Sequence, residues 1–284
     1  MNALLATLRA ELYVARRSTT AWLLVLLPAF AVVLRACIVK LAESGQAARD
    51  ALLGGGDEPV LASNAWGPFV EGFATGLSLL SLSLVAWAAW SFASDRDTGA
   101  LRHVLIRRSS RMHLVLAKLC TVWLLALCAL VLLAAGTSAI CALLWDFGPV
   151  VEDGYELIGS EEIRTEVWLG LRLALIPLPT ALAFGVLVSV LAQSATQAVT
   201  AALGISLALD VFKGVLGNAA HYLYARYQPS LIDQSYLQDV GRLVRGYSDV
   251  MIDPQLLALN EWVPLPQLLL FVVLALLAVR RKPL

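Results

Sequence analysis

A chain of 284 residues that is 59% hydrophobic and only 15% charged is too apolar for a water-soluble domain of this length, in which about a quarter of residues carry charge. Its formal net charge is zero, so the overall balance selects neither nucleic acid nor an acidic partner, and charge can inform only through its position. The three histidines are scattered and no G-x-x-x-x-G-K-[ST] occurs, so no histidine metal site and no P-loop nucleotide hydrolysis can be read from the chain.

At the N-terminus, Leu5, Leu8, Leu12 and Ala15 recur at spacings of three and four, with Arg9, Glu11, Arg16 and Arg17 on the other side. That pattern predicts an amphipathic helix over residues 3–17, lying in a membrane interface. Six apolar runs follow, at 20–41, 70–92, 114–144, 168–193, 195–215 and 262–279. Crossing a hydrocarbon core takes about 20 apolar residues at about 1.5 Å rise each, so each run is a candidate membrane span. The fold class expected is an all-α membrane protein with six transmembrane helices, formed by one transmembrane domain over 1–284.

Between the first two runs, 43–67 contains three consecutive glycines and little periodicity, which reads as an irregular loop. Glu71, Thr75 and Ser78 then fall on one face of the second run. That stripe is either a helix-packing seam or a lining of a substrate pathway. Arg35, Arg172, Asp210 and Lys213 lie toward the ends of their runs, where snorkelling lowers the cost of a charge, and they are candidates for intramembrane pairing. Cys37, Cys120, Cys128 and Cys141 all fall inside spans and read as small apolar residues.

The segment 93–113 is dense in arginine, with Arg102, Arg107, Arg108 and Arg111 among its charges. Leu101, Val104 and Leu105 give it one apolar side, and Ser109 or Ser110 can cap the next helix. Together these describe a short basic, one-sided helix between the second and third spans. The acidic segment 145–167 reads as a solvated face. Ser194 followed by Gln197 is a capping-box start that splits the fourth span from the fifth across a tight turn. In the long segment before the last span, Ser235-x-x-Gln238 is a second capping box, Tyr236, Leu237, Val240, Leu243 and Val244 form one apolar face, and Gly246 can end the helix. This predicts a short extracytoplasmic helix lying on the outer membrane surface.

Taking alternate segments as inside, 1–19, 93–113 and 280–284 with Lys118 hold twelve Lys/Arg and three acids, and the rest holds nine against eighteen. The positive-inside rule then puts both termini in the cytoplasm. A cytoplasmic (inner) membrane location follows as the expectation.

Asp97-Thr98-Gly99-Ala100-Leu101-Arg102, followed by Ser110-Arg111 and Ala117-Lys118, resembles the loop between the second and third spans of ABC-2 type permeases. The order of elements over nearly the whole chain is similar as well. Ala100 and Arg108 depart from the family pattern, which often has threonine and proline there. The resemblance implies a permease subunit of an ATP-driven exporter rather than an enzyme. It further implies a second permease copy, identical or related, and two copies of a cytosolic ATP-binding cassette ATPase that binds ATP and magnesium, with no cofactor in this chain. Residues 93–113 would be the coupling loop, in which Asp97, Gly99, Leu101, Arg102, Val104, Leu105, Arg107, Arg108 and Arg111 engage that ATPase, and spans two and five would line the pathway. Two other readings stay open: a secondary transporter, and an integral membrane enzyme of lipid metabolism. Paired acids or broken helices at mid-membrane would favour the first, and clustered acids or histidines at one interface the second.

Overall fold

The computed structural model describes residues 2–53, 64–99, 110–152, 155–247 and 253–281. Among the described residues, six helical stretches are long and apolar enough to cross a membrane. Span one is Thr19–Leu53, span two Trp66–Asp97 and span three Arg111–Leu144. Span four is Ser160–Leu175 continued by Leu178–Leu191, span five is Ala195–Phe212, and span six is Pro254–Trp262 continued by Pro264–Arg281. The chain is a multi-pass, all-α membrane protein in its described residues, apart from one small hairpin.

Span two is the hub, packing against spans one, three, four and five. Glycine makes the close approaches possible. A Cβ on Gly76 would come within 2.7 Å of a Val32 methyl from span one and would collide with Leu133 of span three. A Cβ on Gly185 would meet the Val85 carbonyl and Ala88 Cβ, each at 2.9 Å, where span four crosses span two. Without a hydrophobic driving force between helices in lipid, such small residues let backbones approach and gain dispersion contacts. Spans two and four are therefore the buried ones, and spans one, five and six turn Trp22, Phe30, Val211, Phe212, Leu269 and Val273 outward as a lipid-facing coat.

The N-terminal helix, Asn2–Arg17, packs on the start of span three. Its inward face includes Glu11, which the heptad-like pattern assigns to the outer side, whereas Leu5 is exposed. The reason is a buried ammonium: Lys118 of span three lies under this helix and draws the carboxylate inward. Arg280, near the C-terminus, approaches Met112, so both ends of the chain and the flanks of the 99–110 connection share one end of the bundle.

Several boundaries move from the sequence reading. Residues 43–53 continue span one instead of opening a loop, because no proline or glycine run intervenes before Gly54. Span four begins at Ser160, eight residues earlier than expected. The acidic segment before it is not simply a solvated face: Val150–Glu152 pairs antiparallel with Tyr155–Ile158. Span four is then interrupted at Ile176-Pro177, since proline has no N–H to donate there. The coupling helix expected in 93–113 lies largely outside the described residues, with Leu101, Arg102, Val104, Leu105, Arg107 and Arg108 all among those not described.

The helix before the last span is Tyr236–Leu243, and it docks against spans two and four with Leu237, Val240 and Gly241 buried. Gly170 of span four, 3.0 Å from Val240 when given a Cβ, leaves the room for it. Gly246 follows the helix at φ +82. The Ser235 box does not form: the Ser235 side chain accepts from no N–H of the helix, and the Ser235 backbone N–H donates to Asp233 at 2.8 Å. At Ser194 the serine cap does form, with Ser194 Oγ accepting from the Gln197 N–H at 3.2 Å, while the Gln197 side chain accepts from the Gln193 N–H at 2.9 Å rather than from that of Ser194.

Candidate functional site

Among the described residues, charged side chains gather at three places, two of them at opposite ends of the bundle. At the end holding the termini, Lys118 Nζ lies 2.6 Å from Asp95 and 3.2 Å from Glu11. Its side chain is 5% exposed, so this cation is nearly dry and needs both carboxylates. Burial pushes the Glu11 carboxyl above its usual range even with Lys118 beside it. The next two residues of span two grip other elements. The Arg96 guanidinium donates to the Ala192 carbonyl at 2.6 Å, which is the C-cap of span four. Asp97 accepts from the Ala195 N–H at 2.7 Å, filling one of the orphan donors at the start of span five. Gly99 then leaves the helix at φ +74, a left-handed conformation that glycine adopts at least cost. Across the connection, Ser110 caps span three by accepting from the His113 N–H, with Arg111 as the first helical residue.

At the opposite end, Glu71 of span two is bridged by two arginines. Arg35 of span one donates to Oε2 at 2.8 Å, and Arg245, just after the docked helix, pairs with Oε1. Thr75 and Ser78 return their hydroxyls to the helix backbone at Glu71 and Ala74. The stripe Glu71, Thr75, Ser78 faces a cavity of about 730 Å³ between span two and residues 230–247, while the packing seam of span two is its Gly72–Gly76 side. Asp233, Arg242 and Tyr247 face the same cavity. Burial pushes the Asp233 carboxyl up, and the Ser235 N–H bond pulls the other way. A second cavity, of about 270 Å³, shares Arg35, Glu71, Arg245 and Tyr247, so the charge bridge stands between the two spaces.

The third place is the end of span five. Lys213, fully buried, contacts Asp210 at 2.8 Å and donates to Ser230 at 2.7 Å. Asp210 also accepts from the Ser230 hydroxyl at 2.6 Å and from the Leu231 N–H at 3.1 Å. This knot fastens the turn at 230–232 to the span. Arg172, by contrast, pairs with Glu261 at 2.8 Å on an exposed surface.

The four intramembrane charges read from the sequence thus each have an opposite charge, Asp210 and Lys213 pairing with each other while Arg35 and Arg172 find Glu71 and Glu261. Sequence reasoning missed Glu11, Asp95 and Lys118 as a unit, and it missed Arg242, Arg245 and Asp233 as cavity residues. The one available signal for the latter was a run of charges beside an apolar helix face, a pattern a surface helix shares. Among the described residues there is no cluster of histidine, cysteine, aspartate or glutamate able to hold a metal. The four cysteines are free thiols.

Residues 60–227, more than half of the chain, match a family described as "Protein of unknown function (DUF2705)", and the chain belongs to that family. No curated protein and no solved structure matches it.

Proposed function

We propose that the chain is the permease subunit of an ATP-driven exporter of the ABC-2 type, coupled through residues 93–113 to a separate cytosolic ATP-binding cassette subunit. One observation carries this reading. Asp95, Arg96 and Asp97, three consecutive residues at the entrance to the 99–110 connection, hold four other elements: the N-terminal helix and span three through Lys118, the end of span four, and the start of span five. A push on that connection would reach every one of them through short polar contacts. Such a construction suits a chain that receives mechanical work from a partner and has no P-loop of its own. The charge split of the sequence supports a cytoplasmic position for this end, and the motif resemblance supports the ATPase as the partner. In this reading the complex holds two permease chains and two ATPase subunits.

The test is a pair of substitutions, Leu101→Asp with Leu105→Asp. Burying a carboxylate in an apolar groove costs several kcal/mol, roughly 2–7 even for a neutral polar group left unbonded. Full-length tagged chain purified in mild detergent should bring down a P-loop ATPase, and the double variant should insert normally yet lose both that subunit and coupled ATP turnover. Retention of complex and turnover would reject the coupling role. Orientation is checked separately in a cysteine-free background: a cysteine at Glu156 should react with an impermeant thiol reagent in intact cells, and one at His103 should not.

A further inference from the structure

We infer that the outward face of the N-terminal helix is a docking surface for anionic phospholipid headgroups, engaged by Arg9, Arg16 and Arg17 in the leaflet around the end of the bundle that holds the termini. The inference goes beyond the permease reading, since it concerns the membrane itself as the ligand and holds whatever drives the chain.

Charge gives the sign. The sequence sets three acids, Glu11, Asp95 and Asp97, against twelve Lys/Arg at this end. The fold turns all three acids toward protein. Glu11 and Asp95 meet on Lys118, and Asp97 accepts from the Ala195 N–H at the start of span five. Had Glu11 kept the outward position that its pattern assigns, it would offset one arginine of the helix; turned inward, it leaves the outer face with cations alone. Arg9, Arg16 and Arg17 are exposed there, and among the described residues none of the three pairs with a carboxylate. The undescribed connection beside them adds no acid, because no Asp or Glu occurs between Asp97 and Asp146. The helix dipole accounts for Arg16 and Arg17 in the last turn. It does not account for Arg9, about two turns earlier.

The residues between the arginines give the partner. Leu5, Arg9, Tyr13 and Arg17 recur every four residues along one ridge, and the Arg17 guanidinium lies 4.8 Å from the centre of the Tyr13 ring. Leu5, Tyr13 and Val14 are exposed on this side, whereas Thr7 and Ala15 are buried on the other. Guanidiniums interleaved with exposed apolar side chains match a headgroup layer, in which phosphate takes the charge and the acyl boundary takes the apolar bodies. The ridge also runs into the lipid-facing coat of span one. Trp22, exposed near the start of that span, donates its indole N–H to the Arg16 carbonyl at 2.9 Å. That bond folds the ring over the corner between helix and span, the place of an aromatic ring at a water–lipid boundary, and so sets Arg16 and Arg17 at headgroup depth.

The test titrates dioleoylphosphatidylglycerol and dioleoylphosphatidylethanolamine separately onto the full-length chain, purified in maltoside detergent, and counts bound lipids by native mass spectrometry. The anionic lipid should bind about tenfold tighter or more, and the preference should shrink as ammonium acetate is raised. Arg9→Gln, Arg16→Gln and Arg17→Gln combined should reduce the preference about tenfold or more, each arginine near a lipid surface being worth about fivefold. Losing three positive charges can disturb insertion, so a second variant keeps every Lys and Arg of the orientation signal. Tyr13→Glu places a carboxylate four residues from both Arg9 and Arg17 and should cut the preference several-fold, whereas Tyr13→Gln should leave it within about twofold. Equal binding of the two lipids by the wild-type chain, or a preference kept in both charge-altering variants, overturns the inference. A triple variant that keeps the lipid preference but loses the co-purified ATPase overturns it as well, because the face would then be a protein contact. The lipid measurement uses no ATPase, so its failure is distinct from failure of the coupling test.

Discussion

The two ends of the bundle solve the same electrostatic problem in opposite ways. At the end with the termini one cation, Lys118, serves two carboxylates and is almost entirely sealed from water. At the other end one carboxylate, Glu71, serves two arginines, and each partner keeps between a third and a half of its side-chain surface open. The excess charge is negative in the dry cluster and positive in the wet one. A dry cluster cannot lose a member without leaving an uncompensated charge in low dielectric, whereas a wet cluster can trade partners with water or a ligand. The first is built as a fixed joint and the second as an exchangeable contact.

Breaking the joint should have the largest effect. Lys118→Met removes the cation and strands Asp95 and Glu11 together, which is expected to cost about 3–5 kcal/mol and to lower the thermal midpoint of the detergent-solubilised chain markedly. A loss under about 1 kcal/mol would mean that water reaches Lys118 and that the two ends do not differ. Asp210→Asn, which opens the buried pair with Lys213, should fall in the same range and tests whether dryness rather than position sets the cost.

Smaller and more diagnostic is Glu11→Gln. Because the folded state holds the Glu11 proton more tightly than the unfolded chain, this group favours folding at low pH, and its contribution is lost as pH rises from its usual value of 4.5 through the raised one. The glutamine variant should show a flatter decline of stability across that window in a pH series of melting curves, and an unchanged slope would assign the pH dependence elsewhere.

The smallest effects belong to the wet pairs. Arg172→Gln removes an ion pair whose partners are 63% and 40% exposed, and the expected change is under about 1 kcal/mol. Arg245→Gln should be equally mild for stability, since its side chain is 52% exposed. A large loss of stability at Arg245 would make the second cluster a structural joint like the first.

What the sequence determined by itself was whatever repeats along the chain. Runs of some twenty apolar residues fix six spans, because the hydrocarbon core imposes a length that no local detail can override. The Ser194 cap and the stop at Gly246 were legible for the same reason, each being a local solution to a helix end. Tertiary structure alone decided which charges meet. Lys118 and Glu11 are 107 residues apart, and the pattern of the N-terminal helix assigns Glu11 to the outer face. The apolar face of Tyr236–Leu243 is equally suited to lipid and to protein, and only the groove left by Gly170 between spans two and four turned it inward, carrying Arg242 and Arg245 to Glu71. Periodicity records that a residue faces something other than water, but in a membrane protein lipid and protein present the same apolar surface, so the choice between them is made by packing.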